Sequence, residues 1–108
     1  MVNFTYAVVL VTTSSIEEAG HILTELLGRR LIACGNIVPR VDSHFLWEDK
    51  IETASESLLI MKTRISKVDE IVKEVRKIHS YEVPEVIAIP IISGNPDYLN
   101  WIDGEVKK

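Results

Sequence analysis

The hydrophobic pattern of this chain changes period several times, and each change marks an element. Tyr6–Thr12 (YAVVLVT) is a run of β-branched and aromatic residues without helical gaps, which predicts a central strand. In the stretch that follows, Ala19, Ile22, Leu23, Leu26 and Leu27 fall on one helical stripe with Glu17, Glu18 and Glu25 off it, predicting an amphipathic helix. Ser14 and Ser15 each have a glutamate three residues on, giving two registers for a capping box at its start. Gly28 offers a left-handed residue to close it, and Arg29 and Arg30 suit the negative end of its dipole, so the helix ends by about residue 30.

Strand character returns at LIACGNIV, but Gly35 and Pro39 predict a bulge or bend before the strand resumes over Val41–Trp47. The polar cluster EDK then separates it from Ile51–Thr63, which ends in a nearly continuous apolar run, so the two strands form a hairpin. Ser66 with Asp69 repeats the cap signature, and Val68, Ile71, Val72, Val75 and Ile78 repeat the stripe, predicting a second helix to about His79. Glu85–Ile92 reads as a fourth strand whose Pro90 places it at a sheet edge or bulge. Asn95 and Pro96 then open a short last helix with Tyr98, Trp101 and Ile102 on its apolar side.

The order βαββαβ plus a short helix predicts an α+β ferredoxin-like sandwich, one domain over 1–108, with both crossover helices on one face of an antiparallel sheet. Leu58–Met61 and Val86–Ile92 are apolar on both sides, so the uncovered face is expected to be buried by further copies of the chain.

Composition narrows the function. Twelve Lys and Arg against sixteen Asp and Glu give a formal charge of −4, which leaves little counterion-release affinity for nucleic acid or anionic lipid. The strands also lack the aromatic and basic face of an RNA-binding sheet. No apolar run reaches the roughly twenty residues of a membrane span, and no leader-like segment opens the chain, so a cytoplasmic protein without membrane or nucleic-acid partners is expected. Cys34 is the sole cysteine, which excludes an intrachain disulfide and leaves a buried, reactive or ligating thiol.

A thiolate with imidazoles suits Cu(I) or Zn(II), but Cys34, His21, His44 and His79 show no local metal-binding spacing. His21 lies off the apolar stripe and is expected to be solvated, and His44 can face either way in the hairpin. His79 stands at a helix C-terminus, where the dipole favours imidazolium and Glu82 can accept its proton. Cys34 with His79 is the only conventional nucleophile and base, and no phosphate-cradling or dinucleotide motif accompanies it. The expectation is a protein that is not an enzyme and carries no organic cofactor.

The segments VVLVTTSSIEEA, LIACGNIVP, FLWEDKIE, LLIMKT, IHSYEVPEV and NPDYLNWI together resemble the CutA divalent-cation tolerance family along essentially the whole chain. The resemblance implies a homotrimer of ferredoxin-like subunits packed edge to edge around a threefold axis, similar in architecture to the PII nitrogen-regulatory proteins. It implies binding of copper or another divalent metal and a role in metal tolerance. The family's cysteine falls on Cys34, and its His-Pro-Tyr-Glu-Val-Pro segment falls on His79–Pro84, with Ser80 where the family usually has proline. His79, Glu82 and Cys34 are the metal-ligand candidates. Tyr81 and Glu85, meeting Trp47, Lys62 and Thr63 of a neighbour, are expected to form a ligand cleft between subunits. Two further classes stay open beside the metal protein: a PII-like regulator binding a small molecule, and a stable trimeric scaffold.

Overall fold

Alternation along Tyr6–Thr13 (β1) is what organises the sheet. Ala7, Val9, Val11 and Thr13 are buried on one side, while Tyr6, Val8, Leu10 and Thr12 are half-buried on the other. The structure, a computed structural model, describes residues 3–108. After β1 come α1 (Ile16–Gly28), β2 (Cys34–Trp47), β3 (Lys50–Arg64), a 3-10 turn (Ile65–Lys67), α2 (Val68–Ile78), β4 (Val86–Pro90) and α3 (Pro96–Glu105). The strands form one antiparallel sheet in the order β2-β3-β1-β4, the expected ferredoxin-like arrangement.

The core lies between that sheet and the stripes of α1 and α2. Ile22 and Leu26 of α1, and Ile71 and Val75 of α2, close over Val9, Val11, Leu59 and Met61 with no exposed surface. Gly35 is what lets α1 lie so near β2. A β-carbon there would stand 2.3 Å from Leu23 Cδ2 and 3.2 Å from Met61 Cγ, inside the packed core.

The ends of α1 differ in detail from the sequence expectation. Ser15 is the cap, its hydroxyl accepting the Glu18 N–H at 3.1 Å. At the other end no glycine takes the left-handed conformation, which falls instead on Arg30 at φ 54°. The Arg30 carbonyl accepts from Lys107 N–H and its guanidinium donates to the Glu105 carbonyl, so tertiary contacts hold the residue there. Ser66 makes no cap either, because the 3-10 turn puts Lys67 at the start of α2.

Pro39 acts as expected: the β2–β3 register shifts between Val38 and Val41. Beyond the shift the hairpin outruns β1, whose last partner is Ser57, and continues as a two-stranded ribbon to Glu48 and Asp49. Both turn residues are left-handed, φ 50° and 63°, the tight hairpin geometry that matches strand twist. Pro90 ends β4, which pairs only with β1 and is an edge strand.

The face away from α1 and α2 is not wholly bare, because α3 covers one end. The Tyr6 hydroxyl donates to Asp103 at 2.6 Å, Arg64 pairs with the same carboxylate, and Ile102 and Val106 pack with Ala33 and Leu99. Asn95 caps α3 as its sequence predicts, but Tyr98 and Trp101 stay largely exposed and stack at 5.5 Å. The rest of the face keeps Ile87 and Ile89 half in solvent.

Gly35→Ala is expected to lower unfolding stability by about 1–3 kcal/mol, the usual cost of overpacking a filled core, measured by denaturant titration. A variant as stable as the parent would show that Leu23 yields freely and that the close approach constrains nothing.

Candidate functional site

At the end of the sheet where β1 stops, the chain leaving α2 folds back on itself, and one carboxylate holds it there. Glu18 sits in the first turn of α1. Its Oε1 accepts both the N–H and the hydroxyl of Ser14, at 3.0 and 2.9 Å, and its Oε2 accepts the Ser80 N–H at 2.6 Å. Burial alone would raise this carboxyl, but the donors from Ser14 and Ser80 outweigh it and bring it down to about 2. A proline at 80 would have no N–H to give, so in this chain the bond to Glu18 does the fixing.

His79 is buried beside it. Its Nε2 bonds to the Thr12 carbonyl at 2.7 Å and its Nδ1 accepts the Tyr81 N–H at 2.9 Å, which assigns the ring hydrogen to Nε2. Both ring nitrogens are therefore engaged. The carboxylate facing Nδ1 is Glu18, at 3.7 Å, in place of the expected Glu82.

The turn at His79 throws Tyr81 across to β3. The two rings lie 4.7 Å apart, and the Tyr81 hydroxyl donates to Glu56 Oε2 at 2.7 Å. Burial, then the bond to Glu56, pushes the phenol up to about 12, so it remains a donor. Between the projecting ribbon and residues 81–85 lies an open pocket of about 820 Å³. Ser43, His44, Phe45 and Trp47 of β2 line one side, Glu52 and Glu56 of β3 the floor, and Tyr81, Glu82 and Glu85 the other side. Four carboxylates and one histidine line it, with no lysine or arginine.

Residues 7–105 match the family described as CutA1 divalent ion tolerance protein. The chain belongs to the CutA family. It is 46% identical over 107 residues to the Divalent-cation tolerance protein CutA of Archaeoglobus fulgidus, 99% of this chain and 100% of that one. It is 42% identical over 101 residues to the chloroplastic Protein CutA 1 of rice, covering 94% of this chain but 57% of the rice protein. Thus it spans little more than half of that relative. The crystal structure of CutA1 from Oryza sativa superposes with a TM-score of 0.94 at 40% identity, over 97% of this chain and 96% of that one. The structure of the periplasmic divalent cation tolerance protein CutA from Archaeoglobus fulgidus gives 0.92 at 43%, over 94% and 99%.

This CutA protomer places the residues expected to meet across subunits at two different ends of its sheet. Trp47, Tyr81, Glu82 and Glu85 line the pocket. Lys62 and Thr63 sit elsewhere: Lys62 bonds Asn36, and buried Thr63 donates to the Leu31 carbonyl at 2.6 Å. Cys34 lies opposite Lys62 in the β2–β3 register, its sulfur 3.2 Å from the Tyr98 hydroxyl, which that bond and burial push up to about 12. His79 reaches Thr12, opposite Leu58, four residues along β3 from Lys62. Cys34 and His79 are thus separated by roughly 13 Å along the strands alone. Among the described residues no three His, Cys, Asp or Glu side chains are close enough to share a metal ion.

Sequence reasoning missed Glu18 as a tether and Glu56 as the floor of the pocket. The signal for Glu56 was slight, an acid two residues before the apolar run Leu58–Met61 and on the opposite strand parity to its buried members Leu59 and Met61.

Because its folded carboxyl lies near 2 against an ordinary 4.5, Glu18 stabilises the fold fully above about pH 4.5, and the contribution disappears as pH falls toward 2. Glu18→Gln is expected to lose about 1–3 kcal/mol at pH 7 and to converge on the parent at pH 2–3, read from denaturant midpoints across that range. Equal stability at both pH values would remove the tether.

Proposed function

We propose that this protein is a homotrimer that binds divalent cations, copper among them, in the service of metal tolerance, and that it acts by binding and not by catalysis. The observation that carries the reading is the pocket's charge: four carboxylates with no lysine or arginine among its lining residues. Such a concave acidic surface concentrates cations. The relatives' names, divalent-cation tolerance proteins, supply the class of cation.

Within the pocket the accessible donors are the carboxylates of Glu82 and Glu85, oxygen ligands for a divalent ion, whereas the register pairs His44 with Thr53 on the ribbon face opposite Phe45 and Glu52. His79 has no free lone pair in this state, and Cys34 is bonded to Tyr98 at the opposite end of the sheet. One protomer lacks three converging donors, so water or a neighbouring copy completes the shell. The same separation of Cys34 from His79 deprives the chain of its one conventional nucleophile and base. A PII-like regulator taking an anionic molecule fits less well, since the pocket offers an anion no cationic side chain.

Assembly is supported by apolar surface that a lone chain cannot cover. Ile87 and Ile89 of the edge strand β4 are each 50% exposed, and Leu46 and Ile51 of the ribbon are 75% and 78% exposed. Light scattering at micromolar concentration is expected to give three times the 12.2 kDa chain mass. A stable monomer would contradict the proposal.

The metal reading is tested by calorimetric titration with Cu(II) and Zn(II). The double variant Glu82→Gln, Glu85→Gln is expected to bind Cu(II) about tenfold more weakly, with Cys34→Ala close to the parent. Undiminished affinity in the double variant would place the ion elsewhere.

A further inference from the structure

We propose that the pocket between the β2–β3 ribbon and residues 81–85 is a binding site for a linear polyamine, whose inner ammonium bonds to Glu56 and whose methylene chain lies on Phe45 and Trp47. This goes beyond the divalent-cation reading, which counts Glu56 in the pocket's charge but gives it no ligand to bind.

Glu56 is only 8% exposed, yet Oε2 alone has a donor, the Tyr81 hydroxyl at 2.7 Å. No lysine, arginine or histidine pairs with it among the described residues. Every buried side-chain oxygen among the described residues has a partner, so the second oxygen of Glu56 opens onto the pocket, and a cation placed there gains a charge-assisted hydrogen bond. Tyr81 donates to Glu56 and remains protonated, so it treats Glu56 as an acceptor and cannot neutralise it.

The geometry selects the kind of cation. Glu56 offers one free oxygen, which suits a point donor; a guanidinium prefers both oxygens of a carboxylate, and Tyr81 already holds one. A quaternary ammonium has no N–H to give. A bare metal ion finds no three donors here among the described residues and gains nothing from aromatic walls. An alkylammonium gains from both features, through a charge-assisted hydrogen bond to Glu56 and through cation–π and apolar contact with the rings.

The pocket also grades outward. Glu56 lies deep, whereas Glu82 and Glu85 are exposed near the mouth, so negative charge recurs along the way out. A chain of ammonium groups separated by methylenes matches that sequence of buried acid, aromatic wall and exposed acids better than a single amine. The volume of about 820 Å³ is at the upper end of small-molecule sites and has room for it.

Spermidine titrated into the full-length protein in its native assembly, at about 0.15 M salt, tests this by calorimetry. Saturable binding is expected, weakened roughly tenfold by Glu56→Gln and about threefold by Trp47→Ala, and not displaced by Mg(II) at equal charge. Trp47 is 55% exposed, so its variant keeps the fold and remains informative if Glu56→Gln disturbs Tyr81. Unchanged affinity in folded Trp47→Ala, or full displacement by Mg(II), would reduce the effect to general charge attraction and overturn the proposal. Cu(II) titrated on the same proteins reports separately on the metal reading: Cu(II) binding without spermidine binding defeats this inference alone.

Discussion

The Glu18 carboxylate is the contact on which the functional end of the molecule depends. It belongs to the first turn of α1, where a negative charge is favoured by the helix dipole, and it also takes the N–H of Ser80, 62 residues away. Without that bond the only polar approach between the start of α1 and the chain leaving α2 among the described residues is the longer one from Glu18 to His79 Nδ1, at 3.7 Å. With it, His79 is held against the Thr12 carbonyl, Tyr81 is presented to Glu56, and the loop becomes one wall of a pocket. The sequence of contacts runs from helix cap to loop to cavity, and each step is a hydrogen bond between groups that would be costly to leave unpaired.

The opposite end of the sheet is built with the charges reversed in availability. There Arg64 pairs with Asp103, Arg30 with Glu105, Lys107 with Glu70, and Lys62 bonds Asn36. Basic groups are thus engaged around α3, while the pocket keeps its acids free of basic partners. A formal charge of −4 spread evenly would say little about ligands. Concentrated in a concavity with aromatic walls, the same excess becomes an attraction for cations.

Most of the fold was legible in the residues because its causes are local. The central strand β1, the helical stripes, the Pro39 register shift, the Pro90 edge and the Asn95-Pro96 start of α3 all follow from neighbours in sequence. What escaped was set by distant partners. Arg30 is left-handed in place of Gly28 because the Lys107 backbone meets it, and Ser66 loses its cap to a turn of 3-10 helix. The site divides the same way. Trp47, Tyr81, Glu82 and Glu85 flank the turns that carry them to the pocket, whereas the distance of Cys34 from His79 is set by a strand register that no short motif encodes. Glu18 reads in sequence as a capping acid and nothing more, since its second role needs Ser80.

The ribbon beyond Ser57 is where the proposed binding and the proposed assembly meet. Two strands alone are marginally stable in water, and these carry Leu46, Trp47 and Ile51 into solvent at 75%, 55% and 78% exposure. One wall of the pocket is therefore an element that the protomer supports only along one side. Whatever holds the ribbon at its pocket-forming angle, a neighbouring copy or a ligand bridging Phe45 and Trp47 to Glu82 and Glu85, contributes free energy to the other. On those proposals neighbour and ligand would be thermodynamically coupled, with the sign set by an aromatic ribbon over an acidic floor. In the proposed assembly, cations in the pocket would relieve repulsion among Glu52, Glu56, Glu82 and Glu85 and so favour the ribbon position that forms the pocket.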